Sequence, residues 1–350
     1  MPHLTTAKAK TGLVLAAALI AATLTGCDDD NPDVSPVSHI QDGVDVQGHR
    51  GARGLQPENT LPAFETALDL EVTTLELDLH FTADGQVVVW HDPVVGPDKC
   101  GLSEGAPARA PDPDDPVTHG DRAIRELTAE QLGWFACDRN PDDDAYPDQR
   151  AEATDLAGYD YRVVTLAELF EFVEDYAESA LKTESQRESA ARVGFNVETK
   201  RRPDDPSTIG DGFDGVNAGP FELALLDLVG RFELNDRITV QSFDPRSVRA
   251  VHAIDPNIRL AALTFSTSTD LADLVADGAT VWSPRASSLT AQRITDARSI
   301  GLEVIPWTVN DPADMLELIS WGVDGIITDR PDLLLEQINL RDPASPAGDG

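Results

Sequence analysis

The stretch that decides the fold is 74-TLELDLHFTADGQVVVWHD-92, which contains two strand candidates, Thr74–His80 with leucine at every second position and the apolar run Val87–Trp90. Both runs have the composition and length of β-strands. The turn-forming segment 82-TADG-85 lies between them. Parallel neighbours in a sheet need a crossover of a dozen or more residues, so strands this close predict an antiparallel hairpin.

The chain outside this hairpin alternates apolar runs with helical patterns, which indicates a parallel sheet with helical crossovers. Strands are predicted at Val44–Gly48, Thr74–His80, Val87–Trp90, Gly194–Thr199, Ile238–Gln241, Leu260–Thr264, Thr280–Trp282, Glu303–Val309 and Gly325–Thr328. Helices are predicted at Leu61–Leu70, Leu166–Glu178, Pro220–Arg231, Arg246–Ile254, Ser268–Ala276, Ala291–Ile300 and Pro312–Ser320. Because Val87–Trp90 belongs to the hairpin, eight parallel strands remain. The expected fold is a TIM (β/α)₈ barrel with one added hairpin strand and its active face at the C-terminal strand ends.

The composition limits the partners of this chain. Its 27 basic and 62 acidic residues give a formal charge of −35 over 350 residues. Such a surface repels phosphate backbones, so we expect no nucleic-acid partner. The hydrophobic content of 41% suffices for a folded core. Nothing in the sequence indicates the oligomeric state.

The first 26 residues have the pattern of an export signal, with Lys8 and Lys10 before the apolar segment Gly12–Leu24. The segment ends in 24-LTGC-27, which looks like a bacterial lipoprotein box and implies cleavage before Cys27 and lipid attachment to it. The alternative is an ordinary secretory signal with an incidental cysteine. Both interpretations place the mature protein outside the cytoplasm, and the first anchors it to a membrane of the bacterial cell envelope. Residues 27–43 are expected to form a tether.

The predicted barrel spans 44–340, with an insert at 93–160 and a disordered tail at 341–350. The insert carries 16 acidic and 6 basic residues and eight prolines, so we expect mostly loop apart from a helical piece at Thr128–Phe135. Once Cys27 is lipidated, Cys100 and Cys137 are the remaining cysteines. Two thiols in one exported insert predict a disulfide, the alternative being two separately buried cysteines. The insert follows His91 directly, so it is expected to overhang the barrel mouth.

Polar residues recur at the C-terminal ends of the predicted strands. They are His49, Arg50, Glu76, Asp78, His91, Asp92, Glu198, Lys200 and Trp307. Glu76 and Asp78, spaced i and i+2, share one face of their strand. Folding the hairpin about Ala83-Asp84 predicts that His91 lies opposite Glu76. Each residue alone is more often structural or solvated, but charges that converge inside one barrel require pairing or a metal.

This set of residue types predicts phosphate-ester chemistry. Three carboxylates, from Glu76, Asp78 and Glu198, form an oxygen-rich site for a hard divalent cation. A guanidinium and an ammonium group suit an anionic substrate. Two imidazoles can each accept or donate one proton.

The ordered motifs closely resemble those of the glycerophosphodiester phosphodiesterase family over Val44 to Leu335. They are 48-GHRG-51, 57-PENT-60, 63-AFETAL-68, 75-LELDLHFTADGQVVVWHDP-93, 196-NVETK-200, 240-VQSFD-244, 306-PWTVND-311 and 322-GVDGIITDRPD-332. The resemblance implies a TIM barrel that hydrolyses glycerophosphodiesters to glycerol 3-phosphate and an alcohol. A cyclic phosphate formed by the glycerol 2-hydroxyl is the intermediate in the related mechanism.

The resemblance also implies roles for individual residues. His49 and His91 would be the general acid and base, in an order that the sequence leaves open. Glu76, Asp78 and Glu198 would hold one metal ion, usually Ca²⁺ or Mg²⁺. Arg50 and Lys200 would bind phosphate, and Trp307 would pack against glycerol. Asn59 would either contact the metal or, as we favour, help to cap the first helix beside Thr60 and support the metal ligands.

Two other functions stay open. One is phospholipase D-like or lysophospholipase activity on membrane lipids in the same fold, which lipidation at Cys27 makes plausible. The other is a binding lipoprotein without catalysis. The full set of His49, His91 and the three carboxylates argues against this second alternative, because an inactive relative usually lacks part of such a set.

Overall fold

The computed structural model describes residues 43–117 and 122–341. The predicted signal peptide, Cys27, nearly all of the tether and the tail lie outside the described residues, as do positions 118–121 of the insert. Within the described residues, no helix is both long enough and apolar enough to cross a membrane.

Parallel strands form a TIM barrel, as predicted. Its strands are β1 (Asp45–His49), β2 (Thr74–Phe81), β6 (Gly194–Thr199), β7 (Ile238–Ser242), β8 (Arg259–Thr264), β9 (Val281–Pro284), β10 (Glu303–Val304) and β11 (Gly325–Thr328). Their order is β10-β9-β8-β7-β6-β2-β1-β11. Backbone hydrogen bonds from Asp324 N to Val304 O (2.9 Å) and from Ile327 N to Pro306 O (3.0 Å) close the circle between the two end strands.

The helices pack around this barrel. They are α1 (Leu61–Asp69), α2 (Ala129–Leu132), α3 (Leu166–Glu178), α4 (Glu184–Ala190), α5 (Pro220–Arg231), α6 (Pro245–Ile254), α7 (Leu271–Ala276), α8 (Ala291–Ser299), α9 (Pro312–Trp321) and α10 (Pro331–Arg341). The local sequence explains where several helices begin. Thr165 and Glu168 form a capping box at α3, and the Asp244 and Asp311 side chains accept backbone N–H bonds at α6 and α9. The sequence did not predict α4 or α10.

The hairpin of β2 with β3 (Val87–Val89) is antiparallel as predicted, but its register differs from the prediction. Leu79 pairs with Val89, and Trp90 N donates to Asp78 O, so His91 does not lie opposite Glu76. The turn holds three residues between Thr82 and Gln86 because Gly85 takes a left-handed φ of 78°. One extra turn residue moves the register by one position.

The predicted strand Glu303–Val309 is a regular strand only at its first two residues. Pro306 has no N–H to donate to a neighbouring strand, so the regular ladder cannot continue through it. Trp307 N still donates to Pro284 O (3.1 Å), which keeps this segment against β9. In the insert, the predicted helix Thr128–Phe135 shortens to α2, and β5 (Phe135–Ala136) follows, paired with β4 (Gly101–Leu102).

The barrel interior has a polar half and an apolar half. Strands β1, β2, β6 and β7 contribute a hydrogen-bonded chain of buried side chains, Gln47, Asn196, Gln241 and Glu76. Strands β8, β9 and β11 and the segment after β10 contribute the apolar cluster Ala261, Val281, Ile305 and Ile327. Function-bearing polar groups are therefore expected on the β1, β2, β6 and β7 side.

Candidate active site

Three buried carboxylates meet at the C-terminal end of the polar half. Glu76 and Asp78 lie on β2, and Glu198 lies on β6 in register with Asp78. One potential ligand oxygen from each residue lies within 4.8 Å of the others. The period-two geometry of β2 places both of its carboxylates on the inward face.

Neutral donors fix two of these carboxylates. Gln241 Nε2 donates to Glu76 Oε1 at 2.6 Å, and the Arg50 backbone N–H donates to Glu76 Oε2 at 3.0 Å. Asn59 Nδ2 donates to Asp78 Oδ2 at 2.9 Å. Thr60, not Asn59, is the N-cap of α1. Asn59 thus supports Asp78, and the helix-capping half of its expected role belongs to Thr60 alone.

The electrostatics of this cluster fit a divalent cation. Burial and the neighbouring Asp78 charge raise the pKa of Glu76 well above its ordinary value, and burial also raises the pKa of Glu198. For Asp78, the Arg50 and Lys200 charges outweigh burial and lower the pKa. Among the described residues, Asp78 Oδ1 is buried and has no hydrogen-bond partner. Three buried carboxylates resist full ionisation, and Asp78 Oδ1 has only the ion pair with Lys200 at 3.3 Å, so a hard cation would satisfy the set.

Two cations border the carboxylates. The Arg50 Nη1 atom donates to both oxygens of Glu58, at 2.9 and 3.0 Å, and Nε lies 3.0 Å from Asp78 Oδ2. Lys200 Nζ lies 2.9 Å from Glu198 Oε1 and 3.3 Å from Asp78 Oδ1. Both side chains line the same cavity and so present positive charge beside the carboxylates.

A tight backbone turn directs Arg50 towards the site. Arg50 has a left-handed φ of 55°, and the following Gly51 has a φ of 85°. A Cβ on Gly51 would lie 2.6 Å from the backbone carbon of Ala63, so only glycine lets α1 pack this closely.

His49 lies deep in the site and is fixed by a distant carboxylate. Its Nδ1 is 2.6 Å from Asp329 Oδ1, and its Nε2 is 3.9 Å from Glu76 Oε2. Arg53 and Asn310 also donate to Asp329, at 2.8 and 2.7 Å. Burial and the Arg53 charge lower the pKa of His49 to about 4, despite the opposing effect of Asp329. The ring is therefore neutral near pH 7, with Nε2 free to accept a proton.

His91 lies at the cavity mouth in a more open setting. Its Nδ1 is 2.6 Å from Asp92 Oδ1, and its side chain is 30% exposed. Lys99, from the insert, pairs with Asp92 and also lies 2.9 Å from Glu58. Burial lowers the pKa of His91, although Asp78 and Asp92 oppose the change. Each histidine thus pairs through Nδ1 with an aspartate, and both rings line the cavity.

Sequence reasoning missed several residues that orient this site, namely Arg53, Glu58, Lys99, Gln241 and Asp329. Asp329 follows β11, and the strand-end position that pointed to the other residues could have identified it. Glu58 lies in the 57-PENT-60 motif but received no role. Lys99 lies in a loop, where no periodic pattern indicates the direction in which a side chain points.

The cavity has a volume of about 860 Å³ and a second, aromatic wall. Phe243 and Phe265 stack with ring centroids 4.4 Å apart, and Trp307 meets Phe243 edge-on at 5.4 Å. Trp307 Nε1 donates to Ser283 O at 2.9 Å, which fixes the indole at the cavity edge. Phe265 is 67% exposed. The cavity therefore offers one charged wall and one apolar wall to a single ligand.

Comparisons with known proteins agree with this geometry. A model of the glycerophosphoryl diester phosphodiesterase family matches residues 49–333. A glycerophosphodiester phosphodiesterase of Bacillus subtilis is 28% identical over 318 residues, which cover 86% of this chain and 90% of that protein. The solved structure of a candidate glycerophosphoryl diester phosphodiesterase from Silicibacter pomeroyi gives a TM-score of 0.67 at 25% identity, covering 85% and 94% of the two chains. An Oleispira antarctica phosphodiesterase solved with its product sn-glycerol-3-phosphate shares the fold, with a TM-score of 0.60, 19% identity and coverage of 84% and 96%.

Proposed function

Since the chain belongs to the glycerophosphoryl diester phosphodiesterase family and is an enzyme of that activity, we propose that it releases sn-glycerol 3-phosphate and an alcohol from glycerophosphodiesters by metal-assisted acid–base catalysis. The observation that carries the proposal is the cluster of Glu76, Asp78 and Glu198 in one cavity with His49 and His91. The product bound to the Oleispira antarctica relative supports the same choice of substrate.

Glu76, Asp78 and Glu198 would hold one Ca²⁺ or Mg²⁺ ion, since all three supply hard oxygen ligands. When bound, the ion offsets phosphodiester charge and polarises a phosphoryl oxygen. Arg50 and Lys200 line the same cavity and bind the non-bridging phosphate oxygens. Trp307 provides the apolar surface against which the glycerol carbons pack.

We assign the base role to His49 and the acid role to His91. With its pKa lowered to about 4, His49 is neutral and accepts a proton at Nε2 from the glycerol 2-hydroxyl, whose oxygen bonds to phosphorus and forms a cyclic phosphate as the alcohol leaves. The Asp329 carboxylate accepts a hydrogen bond from Nδ1–H and stabilises the imidazolium that forms. His91, at the more open mouth, acts as the imidazolium: its Nδ1–H stays bonded to Asp92, and its Nε2–H goes to the oxygen of the leaving alcohol. Water then opens the cyclic phosphate with the roles reversed. Neutral His91 accepts a proton from water, and His49 returns its Nε2 proton to the glycerol 2-oxygen, which gives glycerol 3-phosphate. Asp92 keeps the His91 ring in a fixed orientation.

The reaction is tested by measuring glycerol 3-phosphate release from glycerophosphocholine, glycerophosphoethanolamine and glycerophosphoglycerol. We expect turnover of at least one of them. Lysophosphatidylcholine is assayed in parallel by choline release, because its cleavage leaves lysophosphatidate and not glycerol 3-phosphate. Faster turnover of this lipid would favour the lysophospholipase alternative. No product from any of these substrates would refute the proposal.

Metal dependence is tested with a chelator and by calorimetric titration of the apoprotein with Ca²⁺ and Mg²⁺. We expect activity to vanish in excess chelator and to return with one of the two ions. Glu76→Gln should raise the metal concentration needed for binding, because the site loses one ligand charge. Glu174→Gln, on the exposed face of α3, is the matched control and should bind metal normally. Full activity in excess chelator would contradict a metal site.

The proposed cellular location rests on the sequence. We propose that residues 1–26 direct export and that Cys27 carries the lipid anchor of a cell-envelope lipoprotein. Mass spectrometry of the N-terminal peptide should detect a diacylglyceryl cysteine, and Cys27→Ser should shift the protein from the membrane to the soluble fraction. An unmodified Cys27 in the mature protein would contradict lipidation.

A further inference from the structure

Lys99 lies where the insert meets the barrel, and its ammonium group joins two parts of the active site. The side chain is 12% exposed, and Nζ lies 2.9 Å from Glu58 Oε1 and pairs with Asp92 Oδ2. Burial alone would lower the pKa of Lys99, but the charges of Glu58 and Asp92 outweigh burial and raise it. The Lys99 ammonium group is therefore charged, largely buried and placed between two carboxylates.

Each carboxylate that contacts Lys99 in turn orients a residue of the proposed reaction. Glu58 accepts both hydrogen bonds from Arg50 Nη1. Asp92 accepts the bond from His91 Nδ1. The contacts run from Arg50 through Glu58, Lys99 and Asp92 to His91. Removing the ammonium would take a cation from Asp92, whose other ion-pair partner is His91.

The insert fixes the backbone of Lys99. The next residue, Cys100, has its sulfur at bonding distance from that of Cys137, and both cysteines are buried. Arg139 N donates to Lys99 O at 3.1 Å, and Gly101 pairs with Ala136 in the β4–β5 sheet. Lys99 thus enters the active site from a segment that is anchored within two residues by a covalent cross-link.

We propose that Lys99 is a positioning residue and that the Cys100–Cys137 disulfide holds it against Glu58 and Asp92, so that the oxidised protein is the more active form. The proposal rests on the function proposed above. A dithiol reductant would transfer two electrons and two protons to the disulfide, leaving two thiols and an oxidised dithiol. The barrel strands contain neither cysteine, so reduction acts on the insert.

The test measures kcat and KM for Lys99→Met, for the double variant Cys100→Ala/Cys137→Ala, and for the triple variant. We expect Lys99→Met and the double variant each to lower kcat by about tenfold to a hundredfold, because displacements of about 1 Å have effects of this size. The triple variant should be no slower than Lys99→Met, because the cross-link acts through that residue. Lys99→Arg should recover part of kcat.

Two controls separate positioning from general damage. Arg162→Met removes a cation just after the insert, whose partners Asp160 and Glu168 lie outside the site, and should keep kcat. Dithiothreitol should slow the wild-type protein but not the double cysteine variant. Thermal unfolding checks that each variant folds, and if Lys99→Met does not, Lys99→Gln replaces it, because it also removes the charge but keeps a polar side chain.

The possible results are distinct. An active wild type with unchanged kcat in Lys99→Met, or in Lys99→Gln where that replaces it, overturns the role of Lys99. Additive losses in the triple variant, or no response of the wild type to reduction, overturn the link to the disulfide. A wild type with no activity on any glycerophosphodiester refutes the proposed function itself.

Discussion

Two of the three histidines that line the cavity, His49 and His91, have the same local arrangement but differ in what supports them. The third, His80, is buried on β2, with Nε2 3.0 Å from His91 O. His49 pairs with Asp329, which lies 280 residues later in the sequence, and both side chains are largely buried. His91 pairs with Asp92, the next residue, and both side chains are about one-third exposed. One pair depends on closure of the whole barrel, and the other depends on a loop contact. The same His–Asp pairing is thus supported by the barrel core in one case and by a loop in the other.

The supports of the two aspartates explain the difference. Asp329 accepts bonds from Arg53 and Asn310 as well as from His49. Besides His91, Asp92 forms an ion pair with Lys99 of the insert. We therefore expect changes at the His49 pair to reduce both activity and stability, and changes at the His91 pair to reduce activity alone.

The largest expected effect comes from removing either ring. His49→Ala and His91→Ala should each lower kcat at least a hundredfold, because a positioned proton donor or acceptor contributes about 10²–10⁴ in rate. Both variants should still fold, as measured by circular dichroism. Near wild-type turnover in either folded variant would remove that histidine from the mechanism.

The aspartates should separate the two regions. Asp329→Asn takes from the largely buried Arg53 one of its two carboxylates, the other being Glu58 at 3.4 Å, and should destabilise the protein by up to about 3–5 kcal/mol. Asp92→Asn alters a partly exposed pair and should change the free energy of unfolding by less than about 1 kcal/mol. Both should lower kcat by about tenfold or more. Denaturant unfolding makes the comparison, and equal destabilisation by the two substitutions would show that the supports are equivalent.

A smaller effect is expected on the pH dependence of stability. The pKa values of His49 and buried His80 fall to about 4, with burial as the main cause. Between about pH 6.5 and 4 the unfolded chain binds protons that the folded protein does not, so the free energy of unfolding falls as the pH drops. Each ring can contribute up to about 3 kcal/mol.

This effect is measured by urea unfolding between pH 7 and 4. His80→Gln should reduce the pH dependence of the free energy of unfolding by roughly half of the joint contribution of His49 and His80. Arg162→Met should leave this pH dependence unchanged. A His80→Gln curve parallel to that of the wild type over this range would show that folding does not lower the pKa of His80.

Much of the fold could be predicted because local signals agreed with the tertiary structure. The strand Gly194–Thr199 and the helix Leu166–Glu178 have the predicted bounds. The structure also brings Glu76, Asp78 and Glu198 together, as strand periodicity predicted. The prediction was wrong where a single residue changed the geometry, as Gly85 did in the hairpin register and Pro306 did in β10.

The supports of the site were harder to predict. Asp329 meets His49 only because β11 pairs with β1, and this pairing is a product of barrel closure. Lys99 reaches Glu58 and Asp92 from a loop, whose direction no periodic pattern encodes. The sequence thus predicts which residues on regular strands face the site. The residues that orient them through long-range contacts are identified only from the three-dimensional structure.

The different roles assigned to His49 and His91 are tested most directly by varying the leaving group. Turnover of glycerophosphocholine is compared with that of glycerophospho-p-nitrophenol, whose leaving group departs without a proton. His91→Ala should be strongly impaired with the choline substrate and much less with the nitrophenyl substrate, because only the first needs a general acid. His49→Ala should be impaired to a similar degree with both. Rescue of His49→Ala instead of His91→Ala by the nitrophenyl substrate would reverse the two roles, and rescue of neither would contradict acid catalysis by His91.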